Sequence, residues 1–357
     1  MSILYTIAAS VLVFGVVIFL HELGHFTVAK LCGIQVNEFA MGMGPKLFNF
    51  VKGSTRYALR LLPIGGFVSM EGEDGEEVNE ELYPDIPADA PRGKSFQQVS
   101  VGKRMLVVAA GAVMNLILGF GVLLILVNMQ NVITSRTISG FRGNEMSYES
   151  GLRVGDKILA VNGRRCFIAN DVVYEAARSE KATADFTVLR DGQKIQLKDV
   201  VFATPLTGEQ EGQYMIDFTV QPVQKSVSSV LSEAANWTVS YARLILLSLV
   251  DLVTGRVAVN QLSGPVGIVQ AINQAVSVGI EPVLNMMAVI TINLGIFNLL
   301  PLPALDGGKL VLLLVEKIRR KPLNPKYEGM INMVGFALLM LLMLFVTFND
   351  IGRLIGG

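Results

Sequence analysis

Residues 1–20, 105–135, 282–305 and 329–349 contain no Asp, Glu, Lys or Arg, and their cores are Leu, Ile, Val, Met and Phe. Each is long enough to cross about 30 Å of hydrocarbon at roughly 1.5 Å of rise per residue. The pattern predicts four transmembrane helices. Between the first two, short alternating apolar runs appear around Tyr57 to Leu61 and at Pro63-Ile64-Gly65-Gly66-Phe67-Val68. With turn signals such as Gly42-Met43-Gly44-Pro45, they predict short β-strands. Nine acids then fall between Glu71 and Asp89 with little apolar content, as in a solvated linker loop.

The segment between the second and third spans opens with a soluble domain. Gly151 to Gly163 reads as turn, strand and a tight Asn-Gly turn; Phe186 to Ile195 reads as a hairpin through Asp191-Gly192; Asp171 to Ser179 between them reads as a helix. Residues 227–256 have helical periodicity, but their apolar core, Leu244 to Val250, is too short to span, so an interfacial amphipathic helix is expected. Residues 257–280 are uncharged yet rich in Asn, Gln, Ser and Gly, and are not read as a fifth span.

The expected class is therefore an α+β membrane protein: four transmembrane helices, a membrane-associated β region on the inner side and a soluble domain on the outer side. In order, these are a first helix (1–31), the β region with its acidic loop (32–103), the second helix (104–131), the soluble domain (132–222), the interfacial region (223–281), the third helix (282–316), a basic loop (317–328), and the fourth helix with its tail (329–357). The sides follow from basic residues near span ends. The 317–327 loop holds Lys317, Arg319, Arg320, Lys321 and Lys326 and no acid, which makes it cytoplasmic. Residues 26–104 are then inside, and 132–281 and both termini outside.

Composition agrees. The chain has 357 residues, 51% of them hydrophobic and 17% charged, against about a quarter charged in soluble domains. Zero net charge offers nothing to a nucleic-acid partner. Cys32 and Cys166 are expected on opposite sides of the membrane and cannot pair. The N-terminal apolar stretch lacks a basic n-region and a small-residue cleavage site, and is read as a retained span of a cell-membrane protein rather than a signal peptide.

Both histidines of the chain lie in His21-Glu22-Leu23-Gly24-His25. On a helix, residues four apart differ by about 40° and share a face, so both imidazoles reach one metal ion. Glu22 sits beside them, in position to hydrogen-bond a metal-bound water. A catalytic zinc site usually has three protein ligands and one open position. With no third histidine, the remaining ligand is Asp, Glu or Cys. Asp306 is the strongest candidate: it follows a long uncharged run, and the first and third spans run the same way and bring His21 and Asp306 to similar depth. Glu316 lies beside the basic loop, and Cys32 is two turns beyond His25. Pro301 and Pro303 break the third helix, which membrane-depth backbone tolerates only beside protein or water. Gly307-Gly308 is expected to remove bulk next to the metal. Zinc suits two imidazoles and a carboxylate, a set that iron also uses.

The Gly-Leu-x-x-Gly-Asp-x-Ile-Leu-x-Val-Asn-Gly run resembles a PDZ domain, which implies either capture of an extended peptide as an added strand or a steric block to large ectodomains. The His-Glu-x-x-His helix, the run from Asn298 to Gly308 and the intervening PDZ-like domain resemble the site-2 protease family. Its bacterial members are similar over nearly the whole chain, here with one PDZ-like domain rather than two. Further matches are Gly42 to Pro45, Leu62 to Gly66, Gly111 with Asn115, and Leu262 to Gly267. The resemblance implies intramembrane proteolysis of single-span proteins, often anti-sigma factors or signal-peptide remnants. It also implies metal ligation by His21, His25 and Asp306, Glu22 as general base, and Asn298 in contact with substrate. Gly65 and Gly66, on the strand expected to receive an unwound substrate, join Pro301 and Pro303 as further substrate-binding candidates. A catalytically silent PDZ scaffold is the rival reading, against which the intact Glu22 stands. A metal transporter would need more than one polar constellation along a path, and the sequence holds one.

Overall fold

The computed structural model describes residues 3–73, 83–87, 89–143, 145–179, 182–205, 214–258 and 262–356. Residues 74–82 and 88 of the predicted acidic loop therefore lie outside the described residues. Two compact units emerge, one of residues 1–122 with 245–357 and one of residues 123–244.

In the first unit, α1 (Ile3–Leu31) runs uninterrupted through the histidine pair. It stops where Gly33 adopts φ 78° and the Ile34 amide reaches back to the Ala29 carbonyl at 2.9 Å, a glycine-terminated C-cap. Strands β1 (Val36–Lys52) and β2 (Thr55–Met70) follow as an antiparallel hairpin with an irregular register. The register is informative: Glu38 pairs with Ser69 on one side and Arg56 on the other, and Ala40 likewise with Phe67 and Ala58. Residues 66–70 are thus an edge. Glu38 is buried and held by Arg60 at 2.5 Å and Arg56 at 3.5 Å, and Ser54 and Thr55 at the tip are buried with them, while Leu47, Phe48 and Leu61 are exposed.

Helix α2 (Val101–Met129) runs back against α1. The two approach so closely that a Cβ at Gly24 would lie 2.5 Å from the Ala110 carbonyl oxygen. Residues 265–278, part of the expected interfacial region and not read as a fifth span, form α6 (Pro265–Val278), with Pro in its first turn. Thr6 of α1 donates to Asn273 at 2.6 Å. The single third helix expected over 282–316 is two: α7 (Ile280–Leu299) and α8 (Asp306–Arg319), separated by the segment that contains Pro301 and Pro303. Helix α9 (Pro325–Gly356) closes the unit, its Asp350 accepting the Gly267 N–H at 2.8 Å.

In the second unit, β3 (Ile133–Phe141), β4 (Lys157–Val161), β6 (Thr183–Arg190), β7 (Gln193–Val201) and β10 (Phe218–Val223) form a sheet in the order β10-β3-β4-β6-β7, with β5 (Arg164–Arg165) on β4. Short helix α3 (Met146–Glu149), the β8/β9 pair (Ala203–Pro205, Tyr214–Ile216) and α4 (Ala169–Ala177) complete it. The two predicted tight turns form: Asn162-Gly163 and Asp191-Gly192 all take positive φ, as hairpin turns with the strand twist require. Asp156 of the Gly155-Asp156 turn is fully buried and paired with Arg190 at 2.7 Å.

Helix α5 (Val227–Val253) forms where an amphipathic helix was expected. Its Arg243 ion-pairs Glu175 at 2.9 Å and Asp171 at 3.3 Å, both on α4. Among the described residues five helices are long and apolar enough to cross a membrane: α1, α2, α5, α7 and α9. The sequence reading counted four; α5 contains Glu233, Arg243 and Asp251, so no charge-free window of spanning length marks it. Cys32 and Cys166 are both free thiols.

Candidate metal centre

Each imidazole is aimed by a contact from α2. His25 Nδ1 lies 2.9 Å from the Val107 carbonyl oxygen, which can only accept, so Nδ1 carries the proton and Nε2 a lone pair. His21 Nδ1 lies 3.1 Å from the Asn115 side-chain amide. The two Nε2 atoms face each other at 3.2 Å, with Asp306 Oδ2 at 3.5 Å from His21 and 3.4 Å from His25. Asp306 Oδ2 is buried and has no hydrogen-bond partner. A lone pair and a carboxylate oxygen gathered so closely repel one another unless a proton or a metal cation lies among them. Tetrahedral zinc, with ligand bonds of about 2.0–2.1 Å, needs donors about 3.3–3.4 Å apart. The triangle fits zinc, and among the described residues this is the one cluster of such donors.

Asp306 is delivered by the break between α7 and α8. The Leu302 amide turns back to Leu300 at 2.7 Å, and Ala304 takes φ 68°, a left-handed conformation that costs a non-glycine residue about 1–2 kcal/mol. Gly307 and Gly308 serve this break rather than the metal: a Cβ at Gly307 would lie 2.1 Å from the Leu300 carbonyl oxygen, and one at Gly308 2.3 Å from that of Leu302.

A cavity of about 520 Å³ opens on the triangle, walled by Glu22, residues 66–70 of β2, Glu73, Ala304, Leu305 and Lys309. Gly66 approaches Glu22 directly. Lys309 and Glu73 pair at 2.8 Å within the same wall.

The comparisons with known proteins bear on this site. The model of peptidase family M50 matches residues 9–342. The Bacillus subtilis protein named regulator of sigma-W protease RasP is 34% identical, over 98% of this chain and 99% of its own. The Geobacillus kaustophilus zinc metalloprotease RasP is 33% identical over 98% of each. The chain belongs to peptidase family M50. It is a zinc metalloprotease of the site-2 type, and with several apolar helices it is a multi-pass membrane protein.

In this M50 peptidase the sequence-predicted residues fall into two groups. His21, Glu22, His25, Asp306 and Gly66 meet at the cavity, while Asn298 is off its wall but sets Nδ2 3.3 Å from His21 Nε2. Gly65 packs toward Met43 instead, and Pro303 lies against Gly335 of α9, where a Cβ would stand 2.3 Å from the Pro303 Cβ. Neither these two nor Pro301 is on the cavity wall. Glu316, the weaker alternative ligand, is held by Arg104 through two hydrogen bonds of 2.6 and 3.1 Å. Sequence reasoning missed Lys309 and Glu73. Lys309 stands one helical turn after Asp306, a spacing that would have placed it on the same face; Glu73 had no signal within its run of acids.

Proposed function

We propose that this M50 peptidase cleaves single-span membrane proteins, anti-sigma factors or signal-peptide remnants among them, at a zinc held by His21, His25 and Asp306 at membrane depth. The observation that carries the reading is the three-donor triangle, two of whose donors are borne by an apolar helix of 29 residues and the third by the start of α8. The relative's name as a sigma-W regulator protease supports the substrate class. Held by His21, His25 and Asp306, zinc would supply polarisation of the scissile carbonyl and a lowered pKa for the attacking water. Glu22, on the cavity wall beside both histidines, takes the water proton and returns it to the leaving amine nitrogen.

A helical substrate hides its carbonyls in internal hydrogen bonds and has to be unwound to react. The edge at residues 66–70 offers backbone partners to an extended segment and faces the cavity, with Gly66 giving the closest approach. Asn298 holds a freed backbone group beside the metal. Pro301 and Pro303 act through the shape of the break.

The 317–327 loop is cytoplasmic, and the termini and the soluble domain are outside. Helix α5 lies along the membrane surface rather than across it. Helix α1 begins, and α9 ends, beside residues 262–273: Thr6 bonds Asn273 and Arg353 bonds the Leu262 carbonyl. Helix α2, antiparallel to α1, ends on that same side. A chain that leaves and returns on one side crosses an even number of times, and α5 alone would make one crossing. Residues 132–222 are read as a PDZ-like domain; β10 is an edge strand of its sheet, which favours capture of an extended peptide over a purely steric screen.

The test is comparative membrane proteomics of wild type and Glu22→Gln. Single-span fragments should accumulate uncut in the variant. Identical single-span profiles, with the variant present at wild-type level, would sink the proposal.

A further inference from the structure

Gly111 and Asn115 were singled out in the sequence, yet the ligand set and the general base leave them without a role. They belong to one stripe of α2. Val107, Gly111 and Asn115 are each four residues apart and so drift by only about 40° per step around the helix. All three meet the histidine pair. The Val107 carbonyl accepts from His25 Nδ1. Gly111 leaves the space that the rings fill: a Cβ there would lie 2.2 Å from His25 Nε2 and 2.7 Å from His21 Cε1. Asn115, fully buried, sets its side-chain amide 3.1 Å from His21 Nδ1.

We infer that this stripe is the orienting half of the metal centre, with Asn115 the positioning residue that fixes the tautomer and ring plane of His21. The inference rests on the zinc reading above. With His21 Nε2 given to the metal, its proton is on Nδ1, which must then donate. An Asn115 N–H facing Nδ1–H would set donor against donor. The two ends of an amide differ little in shape and are assigned from their hydrogen bonds. The rotamer that turns Oδ1 to His21 makes the contact an Nδ1–H donation to a carbonyl, parallel to His25 and Val107. Asn115 is itself held in place, since Thr291 of α7 donates to its backbone carbonyl at 3.2 Å. Partners of this kind, behind metal-ligating histidines, typically change affinity about 10–100-fold when removed.

The experiment uses the full chain in detergent, in a Glu22→Gln background so that self-cleavage and turnover do not enter. Zinc affinity is measured by competition with a chromophoric chelator, and geometry by the visible spectrum of the cobalt-substituted protein. Asn115→Leu, close in size but without an acceptor, should weaken zinc binding about 10–100-fold and alter the cobalt spectrum. Asn115→Asp keeps an oxygen acceptor and should restore both to near the parent. Asn115→Ala serves the same comparison where the Leu side chain does not fold. Gly111→Ala should lose metal, whereas Gly121→Ala on the same helix, with open space at its Cβ position, should not. A folded Asn115→Leu or Asn115→Ala variant with parental affinity and spectrum overturns the inference, as does equal loss in the Asp variant, which marks a packing role. A parent that binds no zinc overturns the zinc reading itself, a result distinguishable from either.

Discussion

Gly66 lies so close to Glu22 that a Cβ on the glycine would stand 2.9 Å from Glu22 Cγ and 3.0 Å from the Ala40 carbonyl oxygen. The Ala40 backbone cannot yield without disturbing the strand pairing, so an added side chain displaces Glu22 or pushes the edge away. Gly66→Val should therefore lower kcat/KM on a single-span substrate by on the order of 10²-fold, the cost of a misplacement of about 1 Å. Zinc content should not change, because neither displaced group is a ligand. Cleavage assays paired with metal analysis check both halves.

Glu22→Gln removes the base and keeps the size. It should retain zinc and fold while losing about 10²–10⁴ in rate, the usual contribution of a positioned general base. A variant within tenfold of wild type on a model substrate would rule out Glu22 as the proton carrier.

The three donors of the candidate metal centre were legible because the chemistry restricts such donors to few residue types: the chain has two histidines, and Asp306 follows a long charge-free run and a double-proline break. The hairpin turns were legible because Asn-Gly and Asp-Gly tolerate the positive φ they need. Helix α6 was not. Its polar Asn and Gln look like loop chemistry until Asn273 is seen bonded to Thr6, and Asp350 to the Gly267 amide. The role of Gly307-Gly308 was also misread, since only the folded break reveals which carbonyls occupy that space. Glu316 shows the same limit: its partner Arg104 lies on another helix, and no local pattern joins them.

Cysteine labelling should give an asymmetric result. Cys166 is fully buried, and burial pushes its thiol up to about 12. The thiolate is the reactive form, and near neutral pH almost none is present. Cys166 should stay silent toward impermeant maleimides in the folded protein and react after denaturation. In a Cys32→Ser background, Arg320→Cys should label only after the membrane is opened. Labelling of Arg320→Cys in intact cells would invert the orientation.

The final prediction concerns Asp306 as a ligand rather than a bundle-stabilising acid. Its Oδ2 is buried without a hydrogen-bond donor and points at two Nε2 atoms 3.4 and 3.5 Å away. A structural acid in such a place would be expected to hold a donor, and Arg104 already serves Glu316. Asp306→Asn should lower zinc affinity, because a neutral amide oxygen donates less charge to the metal. Asp306→Glu should keep zinc but slow turnover on the order of 10²-fold, since one methylene moves the donor by about 1 Å. Asp306→Cys should retain metal, thiolate being a good zinc ligand, at the cost of geometry. If the carboxylate only stabilised the bundle, Asn would be the mildest of the three changes and zinc content would not move. Zinc stoichiometry in purified wild type and Asp306→Asn, at matched folding, separates the cases: equal and equally tight zinc in both would remove Asp306 from the coordination sphere.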